Sequence, residues 1–85
     1  MEQTKMEQTL TQEEIQGHYN AALDSVSLIN DIIAGNQMSE ESEADKKACV
    51  ERNVAHLEIM VAKDYWTTQD MKPLNDAIAA GKDYV

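Results

Sequence analysis

The sequence predicts an all-α fold: a long antiparallel two-helix hairpin with a short third C-terminal helix, associating into a dimeric helical bundle. Three observations predict it. Apolar residues recur at Ile15, Tyr19, Ala22, Val26, Ile29 and Ile33, in steps of four, three, four, three and four, which is the spacing of one continuous seam on an α-helix. Val50, Val54, Leu57 and Val61 repeat the pattern. The chain has three Gly, one Pro and no Phe, and its Val and Ile residues fall at helical rather than alternating spacing, so no segment reads as a strand.

Residues 1–10 read MEQTKMEQTL, with Met-Glu-Gln-Thr at 1–4 and again at 6–9. The repeat is read as a duplicated start. This arm is polar, has little to bury and is expected to be disordered. Residues 11–85 are expected to form a single helical domain.

Thr11 to Glu14 forms a capping box, in which the Thr11 hydroxyl accepts from the third helical amide and Glu14 reaches back. The first helix should run from about 12 to 34. Leu23, Leu28 and Ile32 widen its stripe. Gly17 either weakens the helix by about 1 kcal/mol relative to Ala or lets a neighbouring helix approach beside Tyr19. Gly35 takes the left-handed C-cap position, and Asn36 continues the turn.

Ser39 begins the second start signal, and Glu40, Glu41, Glu43 and Asp45 crowd the following turns, where the unsatisfied amides favour negative charge. The second helix should span about 40–63, with Ile59 and Met60 widening its seam. Its first half, with Ala44 and Ala48, is nearly polar. A connection of about four residues between the two helices makes them antiparallel neighbours.

Lys63 to Thr67 makes the second corner, and Thr67 to Asp70 reads as another cap. Pro73 either opens the main part of the third helix or kinks one already begun. That helix should span about 68–80, carry Leu74, Ala77 and Ile78 on its apolar side, and stop at Gly81. Tyr84 and Val85 in the tail are positioned to dock.

Eighty-five residues make one small domain. Seven basic against sixteen acidic residues give a net charge of −9, a surface that repels nucleic-acid phosphates and anionic headgroups. Direct nucleic-acid binding is therefore not expected. No apolar run is long enough to cross a membrane. The N-terminus shows no apolar signal region, and the lone Cys49 argues against a disulfide-stapled scaffold. A cytoplasmic location is expected.

The residues that could carry chemistry are few. His18 and His56 are the only histidines, and neither sits in a His-Glu-x-x-His or Glu-x-x-His pattern. Glu51 with His56 does not substitute. The two histidines with Cys49 would make part of a zinc site only if the fold brought them together. Cys49 lacks a Cys-x-x-Cys partner and reads as a small buried hydrophobe. The acidic stretch 39–45 lacks the central Gly of a calcium loop. There is no phosphate loop, nucleophile elbow or triad, so neither an enzyme nor a cofactor is expected.

Tyr65-Trp66 is the most informative local feature. A single Trp in a small domain is more commonly a core anchor, while Trp and Tyr are also the favoured residues of interface hot spots. Because the first half of the second helix is too polar to cover the first, the surplus apolar face is expected to pair with a second copy. Tyr19, Leu28, Ile32, Tyr65 and Trp66 are the candidate interface residues.

From Arg52 onward the chain carries Asn53-Val54, His56-Leu57-Glu58, Lys63-Asp64, Trp66, Asp70, Leu74, Ala77-Ile78 and Gly81. In this stretch it resembles small uncharacterised helical proteins of marine bacteriophages. The resemblance implies an accessory protein acting in the cytoplasm of an infected bacterial host, and it implies no particular activity. The leading functional expectation is a non-enzymatic module that binds a host or virion protein. The alternatives are an acidic nucleic-acid mimic that inhibits a DNA- or RNA-binding protein, and a small metal- or ligand-binding bundle.

Overall fold

A computed structural model describes residues 10–85; the expectation of a disordered arm at residues 1–10 lies outside them except at Leu10. Among the described residues there are three helices, α1 (Gln12–Ala34), α2 (Glu43–Val61) and α3 (Lys72–Tyr84). Each packs against both of the others, and no strand occurs among the described residues.

α1 has the predicted bounds, and its ends explain why. The Glu14 amide donates to Thr11 Oγ1 at 3.1 Å, and the Thr11 amide donates to Glu14 Oε1 at 2.9 Å. At the other end Gly35 adopts φ 87°, and the amide of Asn36 donates back to Asp31 O at 2.8 Å. Both sets of orphaned helix-terminal groups are thereby satisfied.

α2 begins three residues later than predicted, at Glu43 rather than 40, and ends at Val61 rather than 63. Its N-cap is Ser42, whose Oγ accepts from the Asp45 amide at 3.1 Å, and not Ser39. The chain between α1 and α2 spends residues 35–42 on turns. Met38 adopts φ 57°, and the Glu41 amide closes onto Met38 O at 3.0 Å, which places Glu40 and Glu41 outside the helix. In the first turn of α2 Glu43 pairs with Lys46 at 3.1 Å and accepts from the Tyr84 hydroxyl at 3.3 Å. The hydrogen bond from Lys46 is the main cause that holds the Glu43 carboxyl below the ordinary carboxylate range.

α3 begins at Lys72, not 68. Thr67 does not cap it: its hydroxyl donates to Gln12 Oε1 at 3.3 Å, while Asp70 Oδ1 accepts from the Lys72 amide at 3.0 Å. Pro73 occupies the first turn, where its missing amide hydrogen leaves nothing unpaired. The helix then continues through Gly81 to Tyr84, so Gly81 is not the stop. Its backbone stays out of the left-handed region, and it is buried instead against α1 and α2.

The core draws Ala22, Val26, Ile29 and Ile32 from α1, Val50, Val54, Leu57 and Met60 from α2, and Leu74 and Ala77 from α3. Both predicted seams miss by one residue at their C-terminal end. Ile32 is 2% exposed and Ile33 is 39% exposed; likewise Met60 is buried while Val61 is only half-buried. A straight helix turns about 20° per heptad away from a strict three–four repeat, so a final step of three, not four, returns to the core. Ile59 does not widen the seam of α2, because it points to solvent.

The broad face of α1 is covered by α2 and α3 together. The surplus that suggested pairing with a second copy is thus reduced to Ile33 and to Leu23 and Leu28, which are half-buried against the core. Among the described residues no polar or charged residue is buried.

Candidate functional site

The α2–α3 connection, residues 62–71, carries Tyr65 and Trp66, and the first half of α1 holds it in place. The Tyr19 hydroxyl donates to Asp70 O at 2.6 Å. Gln69 Nε2 donates to Gln16 Oε1 at 3.3 Å, and the Thr67–Gln12 bond lies one turn earlier on α1. Tyr19 belongs on this face because it follows the buried Ile15 by four residues, one turn up the same side of the helix.

Trp66 Nε1 donates to Met60 O at 2.9 Å. This carbonyl belongs to the last turn of α2, where it has no regular i+4 amide and accepts instead from the Lys63 amide at 3.1 Å, leaving a second acceptor position for the indole. The indole therefore serves as a side-chain cap for α2 while its ring packs on the core. Tyr19 meets it edge-on with centroids 6.1 Å apart, and Tyr65 meets it edge-on at 4.8 Å. His18 lies 5.5 Å from Tyr65 at an interplanar angle of 30°. Edge-to-face packing is the arrangement that ring quadrupoles favour.

The result is an aromatic corner in which Tyr19, Tyr65 and Trp66 are half-buried and His18 is exposed. Asp64 and Asp70 flank it at the surface. Tyr19 and Trp66 are fixed by hydrogen bonds at their polar ends and Tyr65 by its edge-on contact with Trp66, and all three keep part of their surface exposed.

Of the five candidate interface residues, the fold brings together Tyr19, Tyr65 and Trp66. Leu28 and Ile32 lie further along α1, and Ile32 is wholly inside the core of the single chain, where it offers no surface to a partner. His18 was not among the candidates. Only the tertiary approach of Tyr65 recruits it, and nothing in its local sequence signals that.

The other candidate ligands stay apart. His56 is exposed on the outside of α2, and Cys49 is half-buried on the same helix, where the Asn53 side-chain amide donates to its carbonyl at 2.9 Å. Among the described residues no group of three or more His, Cys, Asp or Glu is placed to hold a metal ion, and no helix is long and apolar enough to cross a membrane.

A groove of about 260 Å³ runs between α2 and α3, lined by Glu51, Val54, Ala55, Glu58, Lys82 and Val85. Lys82 and Glu58 form an ion pair beside it. Comparison of the chain with protein-family models, with curated proteins and with solved structures found no match.

Proposed function

We propose that the protein is a non-enzymatic interaction module and that the aromatic corner is its contact surface for another protein. The observation that carries this reading is the fixing of Tyr65 and Trp66. Two rings of the types enriched in hot spots are locked in one geometry and left half-exposed at one end of the molecule. The resemblance of the C-terminal half to small phage proteins supports a role as an accessory factor that binds a host or virion protein in the cytoplasm of an infected cell. The contacts between the start of α1 and residues 67–70, just beyond α2, support an antiparallel course for these two helices.

The acidic-mimic reading has less support. A mimic strings its carboxylates along one face, whereas here Glu13 and Glu14 open α1, and Glu43 and Asp45 open α2, where they complement the helix dipole. The metal-binding reading has no cluster of ligands behind it among the described residues.

The test is capture of partners from phage-infected bacteria with the tagged chain, wild type against Tyr65→Ala and His18→Ala. Both substitutions remove exposed ring surface and leave the Trp66 hydrogen bond in place, and circular dichroism checks that each variant stays folded. The expected result is a co-purifying protein lost with either variant. A partner retained by both folded variants would place the contact surface elsewhere.

A further inference from the structure

Of the three half-buried rings in the aromatic corner, Tyr65 is the one the fold does not use. Tyr19 and Trp66 pack against the core, and their polar ends are engaged with Asp70 O and Met60 O. Tyr65 does not pack against the core; its ring is held by Trp66 and by His18. Among the described residues its hydroxyl has no hydrogen-bond partner and no unpaired side-chain oxygen is buried, so the phenol end meets solvent. The exposed imidazole of His18, tilted 30° from the phenol, extends the same π surface.

Carboxylates border this surface. Asp64 precedes Tyr65, is exposed, and pairs with no cation among the described residues. Glu14 lies one turn before His18 on the same side of α1, and its Oε1 accepts from the Thr11 amide. Together with Glu13 and Asp70, the first two turns of α1 and the connection carry four carboxylates against one amine, that of Lys63. Lys72, the next cation along, is paired with Asp76.

We propose that the aromatic corner receives an arginine side chain of its partner protein, with the guanidinium plane on the Tyr65–His18 rings and its N–H groups on Asp64. The inference rests on the reading of the corner as a contact surface and names the chemistry that surface recognises. A guanidinium suits it on three counts. It is planar and weakly hydrated, so it lies flat on a ring face where a compact, strongly hydrated ammonium does not. Its fork of donors matches a carboxylate. It keeps further N–H groups for the open Tyr65 hydroxyl, whose oxygen accepts. The rings do not form a cage for a quaternary ammonium, because Tyr19 and Tyr65 each meet Trp66 edge-on, which leaves no gap between them. An acidic segment would meet like charge.

The test is an NMR titration of the isotopically labelled full chain, at low ionic strength, with a blocked Gly-Arg-Gly-Arg-Gly peptide. The same peptide carrying Lys, or citrulline as the uncharged planar isostere of Arg, is titrated beside it. The expected result is shifts centred on His18, Tyr65 and the Trp66 Nε1–H, with Kd on the order of 1 mM. Binding should be about threefold weaker for the Lys peptide and absent for the citrulline peptide. Asp64→Asn should weaken the Arg peptide about threefold, and Tyr65→Ala should abolish the shifts at His18 and Trp66. Glu51→Gln makes the same change of charge away from the corner and should leave binding as it is. Circular dichroism confirms that each variant remains folded. No shifts at the corner, equal binding of the Lys or citrulline peptide, or equal effects of Asp64→Asn and Glu51→Gln would each overturn the proposal. A partner captured from infected cells and lost with Tyr65→Ala, in the absence of these shifts, would remove the arginine and keep the contact surface. The shifts without any such partner would keep the arginine site and remove its place in a host or virion contact.

Discussion

Gly81 of α3 stands over Val54 of α2 with no room for a methyl group between them. A Cβ at position 81 would overlap Val54 Cγ2, and it would lie 3.1 Å from Val50 Cγ1 and 3.6 Å from Ile29 Cγ2. One glycine therefore sets the approach of α3 to both other helices. Gly81→Ala gains helix propensity, worth about 1 kcal/mol, but it overpacks a site bounded by branched side chains, which costs about 1–3 kcal/mol. The prediction is net destabilisation in urea unfolding. Introduced into a Val54→Ala background, the same change should be neutral or favourable, and the difference between the two backgrounds is the coupling energy of the pair.

Gly17 is the opposite case. It sits inside α1, and nothing lies within 4 Å of a Cβ built there. Gly17→Ala should raise stability by roughly 0.5–1 kcal/mol, through helix propensity and a less flexible unfolded chain. Gly35→Ala should lower it by about 1 kcal/mol, because φ 87° is left-handed backbone that a Cβ opposes. Unfolding midpoints of the three alanine variants should thus move in different directions, with only position 17 rising.

The roles of these glycines show which features can be read from a linear chain. The cap at Gly35 is local: a glycine follows the last residue of a periodic run, and the structure follows. Thr11 and Glu14 are legible for the same reason. Gly17 and Gly81 are not local, since whether a glycine permits close approach depends on what another helix brings to it. Of the two readings open at Gly17, the structure fits the weak helix position and not the close approach, and it is Gly81, read as a stop, that other helices approach. Ile33 and Val61 were misplaced by a smaller effect, the drift of a straight helix from a strict heptad. Of the aromatic corner, the Tyr65-Trp66 pair was visible as composition, and Tyr19 was visible as a seam residue. Their meeting, and the recruitment of His18, required the course of the α2–α3 connection, which no periodicity encodes.

Ser39 and Ser42 offer the same choice of start signal, and the structure selects the second. Ser42→Ala removes the acceptor for the Asp45 amide and should cost about 1 kcal/mol. Ser39 makes no hydrogen bond to a helix amide among the described residues, so Ser39→Ala should leave the unfolding midpoint within error of wild type. Equal effects from the two serines would mean that α2 starts earlier in solution.

Trp66 joins two functions that substitution can separate. Trp66→Phe keeps an aromatic ring against Tyr19 and Tyr65 and deletes only the Nε1 donor, leaving Met60 O without its side-chain partner. One hydrogen bond of this kind contributes about 1 kcal/mol, and the loss should appear chiefly as fraying of the last turn of α2, seen as faster amide exchange from Leu57 to Val61. Trp66→Ala also removes the ring. Full burial would set that cost at about 3–5 kcal/mol, and a half-buried ring should lose about half as much. The edge-to-face contacts add their own coupling: a double-mutant cycle of Tyr19→Leu with Trp66→Leu should return about 0.5–1.5 kcal/mol. A coupling near zero would mean that the indole is held by its hydrogen bond and its core contacts alone, and that the ring geometry at this end of the molecule is not fixed by the aromatic residues themselves.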